Sequence, residues 1–288
     1  MQIHESYIMN CQETFKMRHF FLLLFIILIL ATEAFGNWTP LAPGMELGAF
    51  TVKRAHSAGQ SRITILRIDP KNWELVLIGK SWKGESANKT AKGWCEKHNL
   101  TAAINAGMFG ADYKTHIGYL ASKGHVNNTN VNNYMSVAAF DPKKGKGLPE
   151  FRIFDLDDPT VTMKTILSDY SSVVQNLRLI KRPGENRWTQ QDKMWSEAAL
   201  GEDSLGRVLF IFTRAPFTMY DLNQELLSLK IGLVAAQHLE GGPEAQLYLR
   251  IGNVTHEMFG SYETFFLEND GNKASRPIPN VLGVRQRP

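Results

Sequence analysis

Short apolar runs bounded by turn-forming residues recur along the chain after residue 60, a pattern typical of β-strands. Two of these runs, residues 63–68 and 74–78, flank the turn-forming sequence Asp69-Pro70-Lys71-Asn72 and are predicted to form a hairpin. Further strands are predicted at residues 100–105, 117–121, 135–140, 172–179, 196–200, 208–213, 233–239 and 246–251.

One segment has the apolar spacing of a helix that lies between two strands. Thr218 is a suitable N-cap with Asp221 three residues later, which predicts a helix over residues 219–229. Its apolar face consists of Met219, Leu222, Leu226 and Leu229. Strand, helix and strand form a β-α-β unit, whose usual packing is a right-handed crossover between parallel strands. Because active groups gather at the carboxyl ends of such strands, Arg214 and Glu240 become candidate site residues.

Together these elements predict an α+β fold in a single domain. We expect a mixed, largely antiparallel sheet with flanking helices and one β-α-β crossover near the C-terminus. The 288 residues, 43% of them hydrophobic, are enough for one large core. The sequence has no internal repeat and no heptad pattern, which argues against solenoids and coiled coils. No clear linker follows residue 36, which favours a single domain.

The N-terminus has the pattern of an export signal. The uninterrupted apolar run Phe20–Ala31 follows the basic residue Arg18, and the small residues Ala34 and Gly36 suit a cleavage site. The run is shorter than the roughly 20 apolar residues that span a bilayer comfortably. We therefore predict a cleaved signal peptide, and the alternative is an uncleaved, tilted anchor.

These features divide the chain into a signal peptide, residues 1–36, and a mature domain, residues 37–288. Translation from Met17 would leave out the first 16 residues. The mature chain is predicted to be exported, periplasmic or secreted, with no stable membrane span after cleavage.

Charge and cysteine content narrow the possible functions. The chain has 32 basic and 28 acidic residues, a net charge of +4, and the basic residues are scattered, so no nucleic-acid partner is predicted. Of the 2 cysteines, Cys11 precedes the apolar run, which leaves Cys95 without a partner for an internal disulfide. Cys95 lies in the helix-like stretch 86–98, where a buried, inert thiol is expected.

A turn near the C-terminus carries the clearest candidate chemistry. Glu240-Gly241-Gly242-Pro243-Glu244 separates two strand-like runs, and glycine lets the backbone turn sharply and approach a ligand closely. The two carboxylates could form an acid/base pair. An ordinary hairpin with solvated acids is the alternative, and this segment alone does not decide between them.

Several motifs in order carry a family resemblance. They are Asn105–Phe109 after a buried strand, Val174–Arg178, Trp195–Gly201, Arg207–Thr213 and His238–Ala245. In this order they resemble the phosphodiester glycosidase domain family, from about residue 60 to the C-terminus.

The chain departs from the usual family motifs at both ends of this series. Ala106 and Met108 stand in the motif that is usually Asn-Gly-Gly-Phe/Tyr. Glu240, Pro243 and Glu244 stand in the motif that is usually Leu-Asp-Gly-Gly-Gly-Ser. The resemblance therefore predicts the fold more directly than the substrate.

The resemblance implies an exported hydrolase that cleaves a sugar–phosphate diester, a glycosyl phosphodiester, with a carbohydrate or sugar-phosphate ligand as its partner. Glu240 is the first candidate for the catalytic acid or base, and Glu244 is the second. Arg178 is expected to bind the phosphate through a bidentate guanidinium, with Arg214 as the alternative.

The other expected site residues surround this pair. Asn105 is expected to be one of the catalytic residues, and its amide would bind a sugar hydroxyl or a phosphate oxygen. Gly107, Gly241 and Gly242 would let the backbone approach the substrate. If residues 196–200 form a strand, side chains alternate, so only one of Ser196 and Glu197 should face the site.

Two alternatives to this hypothesis follow from other residues. His116, His125 and His238 suggest a catalytic metal, since His238 and Glu240 are two apart and would share a strand face. The sequence has no HExxH, Cys/His cluster or DxDxDG loop, so we predict no cofactor and no metal.

The second alternative is a non-catalytic envelope protein that binds glycans or sugar phosphates. Its sugar-stacking residues would be Trp188, Trp195, Tyr119 and Tyr134. Acids aimed at an anionic ligand bring a pure binding protein no benefit, which favours the hydrolase.

Overall fold

The computed structural model describes residues 38–52 and 61–288, and the predicted signal peptide lies outside the described residues. Residues 39–288 form one compact unit. Its strands are β1 (Trp38–Ala42), β2 (Met45–Thr51), β3 (Arg62–Ile68), β4 (Trp73–Gly79), β5 (Ala102–Asn105), β6 (Leu120–Ser122), β7 (His125–Asn128), β8 (Ser136–Pro142), β9 (Phe151–Asp155), β10 (Tyr170–Asn176), β11 (Arg178–Lys181), β12 (Glu185–Asn186), β13 (Trp195–Asp203), β14 (Val208–Phe217), β15 (Leu233–Gly241), β16 (Gln246–Ile251), β17 (Val254–Phe259) and β18 (Asn280–Gln286).

In the described part of the chain, three α-helices accompany these strands: α1 (Ala91–His98), α2 (Met163–Asp169) and α3 (Met219–Ser228). Each begins at a threonine whose hydroxyl accepts a hydrogen bond from a backbone N–H of the first turn, which satisfies a donor that the helix cannot use internally. The N-cap of α3 is Thr218, as its sequence predicts. In the described ranges 38–52 and 61–288, no helix is long and apolar enough to cross a membrane.

The strands form three sheets instead of the single mixed sheet that we expected. The first has the order β1-β2-β3-β14-β13-β15-β11-β12, the second β7-β6-β10-β8-β9 and the third β17-β16-β5-β18-β4. The strand registers of the described residues are antiparallel throughout. The fold is thus mostly antiparallel with three helices, consistent with the predicted α+β class.

The predicted hairpin between the first two apolar runs is wrong. β3 pairs with β2 and β14 in the first sheet, whereas β4 pairs with β18 in the third. The turn between them therefore carries the chain from one sheet to another. Both strands bury apolar residues. Their apolar patterns therefore predict that each strand is buried, but they do not show which strand each one pairs with.

The β-α-β unit is present in a different form from the predicted one. β14 and β15 run in the same direction, because both are antiparallel to β13. β13 lies between them, so they are not hydrogen-bonded neighbours. The run 172–179 also differs from its prediction, since it divides at Leu177 into β10 of the second sheet and β11 of the first.

A large apolar core joins the three sheets. It includes Phe210 of β14, Phe140 of β8 and Leu282 of β18, which are at most 1% exposed. β13 and β15 cross this core side by side and end at opposite ends of the first sheet, because they are antiparallel. The start of β13 and the end of β15 therefore meet, and they carry the candidate site.

Candidate active site

Glu240 lies at the end of β15, immediately before the glycine turn that the sequence indicated. The residue is half-buried, and Oε1 of its carboxyl accepts a hydrogen bond of 3.2 Å from the N–H of Gly241. Burial raises the pKa of Glu240 to about 8, although His238 and the Gly241 N–H act in the opposite direction. A carboxyl with this pKa is largely protonated at neutral pH and can donate a proton.

Both glycines of the turn are required by close neighbours. A Cβ at Gly241 would lie 2.7 Å from Cδ1 of Trp195, whose ring covers the turn. At Gly242 the backbone has a φ of +63°, and a Cβ would lie 2.5 Å from Oε2 of Glu263. The sequence predicted close approach by a ligand, and in the structure side chains of the protein approach both glycines.

A buried ion pair lies behind the turn. Oε1 of Glu197, on β13, is 2.6 Å from Nδ1 of His238, on β15, and Trp195 donates a hydrogen bond of 2.6 Å from Nε1 to Oε2 of Glu197. Burial raises the pKa of Glu197, and His238 counteracts this. Burial lowers the pKa of His238, but the adjacent Glu197 carboxylate outweighs it and leaves the pKa raised. The protonated imidazole and the carboxylate therefore compensate each other.

A bulge in β15 bears on the metal hypothesis. Ala198 of β13 pairs with Glu240, whereas the next residue, Ala199, pairs with His238, so β15 contains an extra residue here. The strict alternation that would put His238 and Glu240 on one face is broken at this point. Within residues 38–52 and 61–288, no group of three or more His, Cys, Asp or Glu side chains is arranged to hold a metal ion.

The other two histidines of the metal hypothesis have partners elsewhere. Nε2 of His116 is 2.9 Å from the carbonyl oxygen of Gln175, and burial lowers the pKa of His116 to about 4. His125 is on β7 of the second sheet, and its Nε2 lies 2.9 Å from the hydroxyl of Ser81.

Glu244 and three residues from the loop between β17 and β18 form the other side of the turn. Nη1 of Arg276 donates a hydrogen bond of 2.7 Å to Oε1 of Glu244. The guanidinium of Arg276 lies over the ring of Phe266, 5.7 Å from its centroid. Burial and the negative charge of Glu244 raise the pKa of Glu263, which Arg276 partly offsets. The turn thus brings the predicted Glu240 and Glu244 to a cluster with Glu263 and Arg276.

Asn105 reaches this turn but uses both ends of its amide on the backbone. Its Nδ2 donates to the carbonyl oxygen of Glu244 at 3.0 Å, and its Oδ1 accepts from the N–H of Gln246 at 2.7 Å. Asn105 therefore fixes the chain after the turn. Gly107 has a φ of +149°, and the side chains of Asn176 and His116 occupy the space of its missing Cβ.

Of the two candidates on β13, Glu197 lies beside the turn, whereas the side chain of Ser196 forms hydrogen bonds with backbone groups. The hydroxyl of Ser196 donates to the carbonyl oxygen of Arg214 at 2.6 Å and accepts from the N–H groups of Ser261 and Tyr262 at 2.9 and 3.2 Å. Ser196 therefore holds the loop that follows β17 and carries Glu263.

The two arginines expected to bind phosphate have protein partners. Nη1 of Arg178 lies 2.8 Å from Asp157 and 3.4 Å from Asp155. Arg214 donates from Nε to Asp270 at 2.6 Å. Its Nη1 and Nη2 donate to the carbonyl oxygens of Phe259 and Asn272 at 2.7 and 2.8 Å. Among the described residues, neither Arg178 nor Arg214 forms a side-chain hydrogen bond with Glu240, Glu244 or Glu263.

Sequence reasoning missed several residues of the cluster. Glu263 and Arg276 come from the loop between β17 and β18, where no motif surrounds them. Tyr134 was considered only for stacking, yet burial, and to a smaller extent Glu240, raise the pKa of its phenol. Trp195 was likewise considered only for stacking.

Comparisons with known proteins identify solved structures with a similar fold. The fold is similar to that of the catalytic domain of zebrafish N-acetylglucosamine-1-phosphodiester alpha-N-acetylglucosaminidase auto-inhibited by its pro-peptide. The TM-score is 0.60 and the identity 14%, over 88% of this chain and 87% of that chain. A hypothetical protein from Synechocystis has the same TM-score of 0.60 and identity of 14%, over 87% of this chain and 63% of that chain.

A comparison with curated protein sequences gave no match. The family profile described as phosphodiester glycosidase matches residues 98–285, which include β5, β13 and β15 with every residue of the cluster. This match covers well over half of the chain, and the chain therefore belongs to the phosphodiester glycosidase family.

Proposed function

We propose that this protein hydrolyses a sugar–phosphate diester, with Glu240 as the general acid. The observation that carries the proposal is the carboxyl of Glu240, which lies half-buried at the tip of the glycine turn with a pKa raised to about 8. A carboxylic acid that stays protonated near neutral pH suits proton transfer to a departing oxygen.

The reaction needs one acid and one base. As the bond between the sugar carbon and the bridging oxygen breaks, Glu240 gives its proton to that oxygen, which leaves as part of a phosphate monoester. Water adds to the sugar carbon and gives a proton to a carboxylate, for which we propose Glu244. Exchange of protons with solvent then restores both groups.

The remaining predicted residues would support this pair. We propose that Asn105 acts through the backbone of residues 244–246, which its amide fixes. Ser196 would act through the loop that carries Glu263. Gly241 and Gly242 would allow Trp195 and Glu263 to close the site around the substrate.

The choice of substrate class rests on family membership and on the similar fold. The zebrafish relative is named for an N-acetylglucosamine-1-phosphodiester, so this sugar is the first candidate for the glycosyl group. We also propose that the mature protein is exported, on the basis of the apolar run Phe20–Ala31 and its flanking residues.

The test is hydrolysis of sugar 1-phosphodiesters by the purified protein, with free sugar as the readout. Glu240→Gln keeps the size and hydrogen-bonding capacity of the side chain, and we expect turnover to fall by about a hundredfold or more. Glu244→Gln removes the proposed base and should also lower turnover, whereas a small effect would mean that this residue only shapes the turn. Near-normal turnover in Glu240→Gln would refute the assignment. If the parent protein cleaves no diester but binds sugar phosphates, the non-catalytic binding protein replaces the hydrolase.

A further inference from the structure

Binding a phosphodiester requires a cation whose donors are available, and neither predicted arginine meets this requirement well. Arg214 uses all three of its nitrogens on Asp270 and two backbone carbonyl oxygens. Arg178 lies between the carboxylates of Asp155 and Asp157, which would repel an additional anion. The phosphate-binding group must therefore be sought in the cluster around the glycine turn.

Arg276 has the required availability. Its side chain is 38% exposed and makes one ion pair, with Glu244. Within residues 61–288, its side-chain hydrogen bonds use Nη1 alone, which leaves Nη2 and Nε for a ligand. A guanidinium presents its donors as a planar fork that matches two phosphate oxygens.

The guanidinium is also held in place. It lies on the ring of Phe266 at 5.7 Å, a geometry in which a cation is attracted to the face of an aromatic ring. The carbonyl oxygen of Arg276 accepts a hydrogen bond of 2.5 Å from Nε2 of Gln246. The backbone N–H of Gln246 is bonded to Asn105, which also holds Glu244. Arg276 is thus connected to the turn that carries Glu240 through both its side chain and its backbone.

The acidic residues around Arg276 repel an anion less than their number suggests. Burial raises the pKa of Glu240 to about 8, so this carboxyl is largely uncharged near neutral pH. Burial also raises the pKa of Glu263, and Arg276 partly offsets this. Glu197 is compensated by His238. Glu244 is then the carboxylate that competes with a phosphate for Arg276, and partly exposed ion pairs of this kind are weak enough to rearrange.

We propose that Arg276, supported by the ring of Phe266, is the phosphate-binding residue of this site. The assignment rests on the proposed function and specifies which group receives the substrate's phosphate. Glu244 then competes with the substrate's phosphate for the same guanidinium.

The experiment measures the binding of inorganic phosphate to the full chain by titration calorimetry, which does not depend on turnover. Arg276→Met should weaken binding by about tenfold or more, the effect of losing a charged hydrogen bond. Arg276→Lys should lose part of the affinity, because an ammonium cannot form the bidentate contact. Phe266→Leu should weaken binding by roughly threefold through the loss of the ring under the guanidinium.

Glu244→Gln provides the sharpest test, because it should change binding in the opposite direction. Removing the competing carboxylate should tighten phosphate binding by roughly threefold or more. If Arg276 and Glu244 were only a structural pair, both substitutions would instead lower stability and leave phosphate binding unchanged. Lys273→Met, an exposed lysine in the same loop, is the matched control and should bind phosphate like the parent.

Three outcomes would overturn the assignment: no phosphate binding by the parent at millimolar concentration, unchanged binding in folded Arg276→Met and Arg276→Lys, or loss of binding in Arg178→Lys instead. Circular dichroism of each variant establishes that it is folded. Phosphate binding that depends on Arg276 without any hydrolysis of diesters would refute the proposed function and leave this site intact. If the protein hydrolyses the diester and Arg276→Met does not change the KM, the proposed function is supported and the phosphate site at Arg276 is refuted.

Discussion

The acid group at the centre of the site owes its properties to its position at the end of β15. Neighbouring apolar residues such as Leu239 and Ala198 are fully buried. A carboxylate at Glu240 would therefore be poorly hydrated and, among the described residues, would lack a cation of its own to compensate its charge. The imidazole of His238 lowers the pKa of Glu240 to some extent, but the charge of His238 is already compensated by Glu197. The consequence is a carboxyl with a high pKa, which suits the proposed role of general acid.

This property predicts a specific dependence of turnover on pH. A general acid is active only when protonated, so kcat should remain on a plateau at neutral pH and fall as the pH rises through about 8. Measurement of kcat on a sugar 1-phosphodiester across this range checks the prediction. A rate that instead rises through the same range would assign Glu240 the role of a base.

The individual residues of the site were predictable only where they are contiguous in the sequence. Glu240, Gly241 and Gly242 form a local pattern with a clear physical meaning. Glu263 and Arg276 reach the same turn from a loop whose position depends on Ser196 and Gln246, and no local pattern reports such long-range contacts. The sequence also gave no indication that Arg178 would form ion pairs with Asp155 and Asp157, which lie on or beside a strand of another sheet.

At the scale of elements, the contact between β13 and β15 holds the site together. Trp195 and Glu197 at the start of β13 meet His238 and Gly241 at the end of β15. The ion pair is fully buried, and removing the charge of one partner leaves the other without compensation. The orientation of the glycine turn therefore depends on this pair.

We expect Glu197→Gln to lower the free energy of unfolding by about 1–3 kcal/mol, the cost of weakening a buried, charged hydrogen bond. The folded-state pKa of His238 is raised, so the pair's contribution is complete below the unfolded pKa and is lost as the pH rises through the folded one. The difference between variant and parent should thus be largest in acid and shrink with rising pH. Urea unfolding at several pH values measures it.

The same substitution should lower the pKa of His238, which NMR titration of the imidazole detects. An unchanged imidazole pKa, or a stability difference that grows with pH, would contradict this account of the pair.

The elements themselves were predicted better than their pairing. Apolar runs identified most strands and the helix after Thr218, because these patterns reflect burial on a local scale. The separation of β3 from β4, and of β10 from β11, depends on which distant strand each one meets. The extra residue in β15 also escaped prediction, since a bulge leaves no regular trace in the apolar pattern.

At the scale of the whole molecule, the first prediction concerns export. The basic start, the short apolar run Phe20–Ala31 and the small residues before Asn37 predict a mature chain that begins near Asn37. N-terminal sequencing of protein released from expressing cells measures the start directly. Recovery of the intact apolar run in a membrane fraction would show instead that this segment anchors the protein.

The last prediction concerns the stability of the whole molecule in alkaline solution. The pKa of Glu240 rises from the ordinary 4.5 to about 8 on folding, so the folded state binds more protons between these values. The contribution of this residue to stability is complete below the lower value and is lost as the pH increases through the higher one. Glu240→Gln removes this loss, because an amide does not ionise.

We therefore expect Glu240→Gln to be more stable than the parent by about 1–3 kcal/mol near pH 9 and to match it near pH 5. Glu96→Gln, at an exposed position of α1, is the control and should follow the parent across the range. Thermal or urea unfolding of the three proteins at both pH values measures the effect. If Glu240→Gln and the parent lose stability in parallel as the pH rises, the carboxyl is ionised and solvated in the folded protein, and it cannot be the acid that the proposed reaction needs.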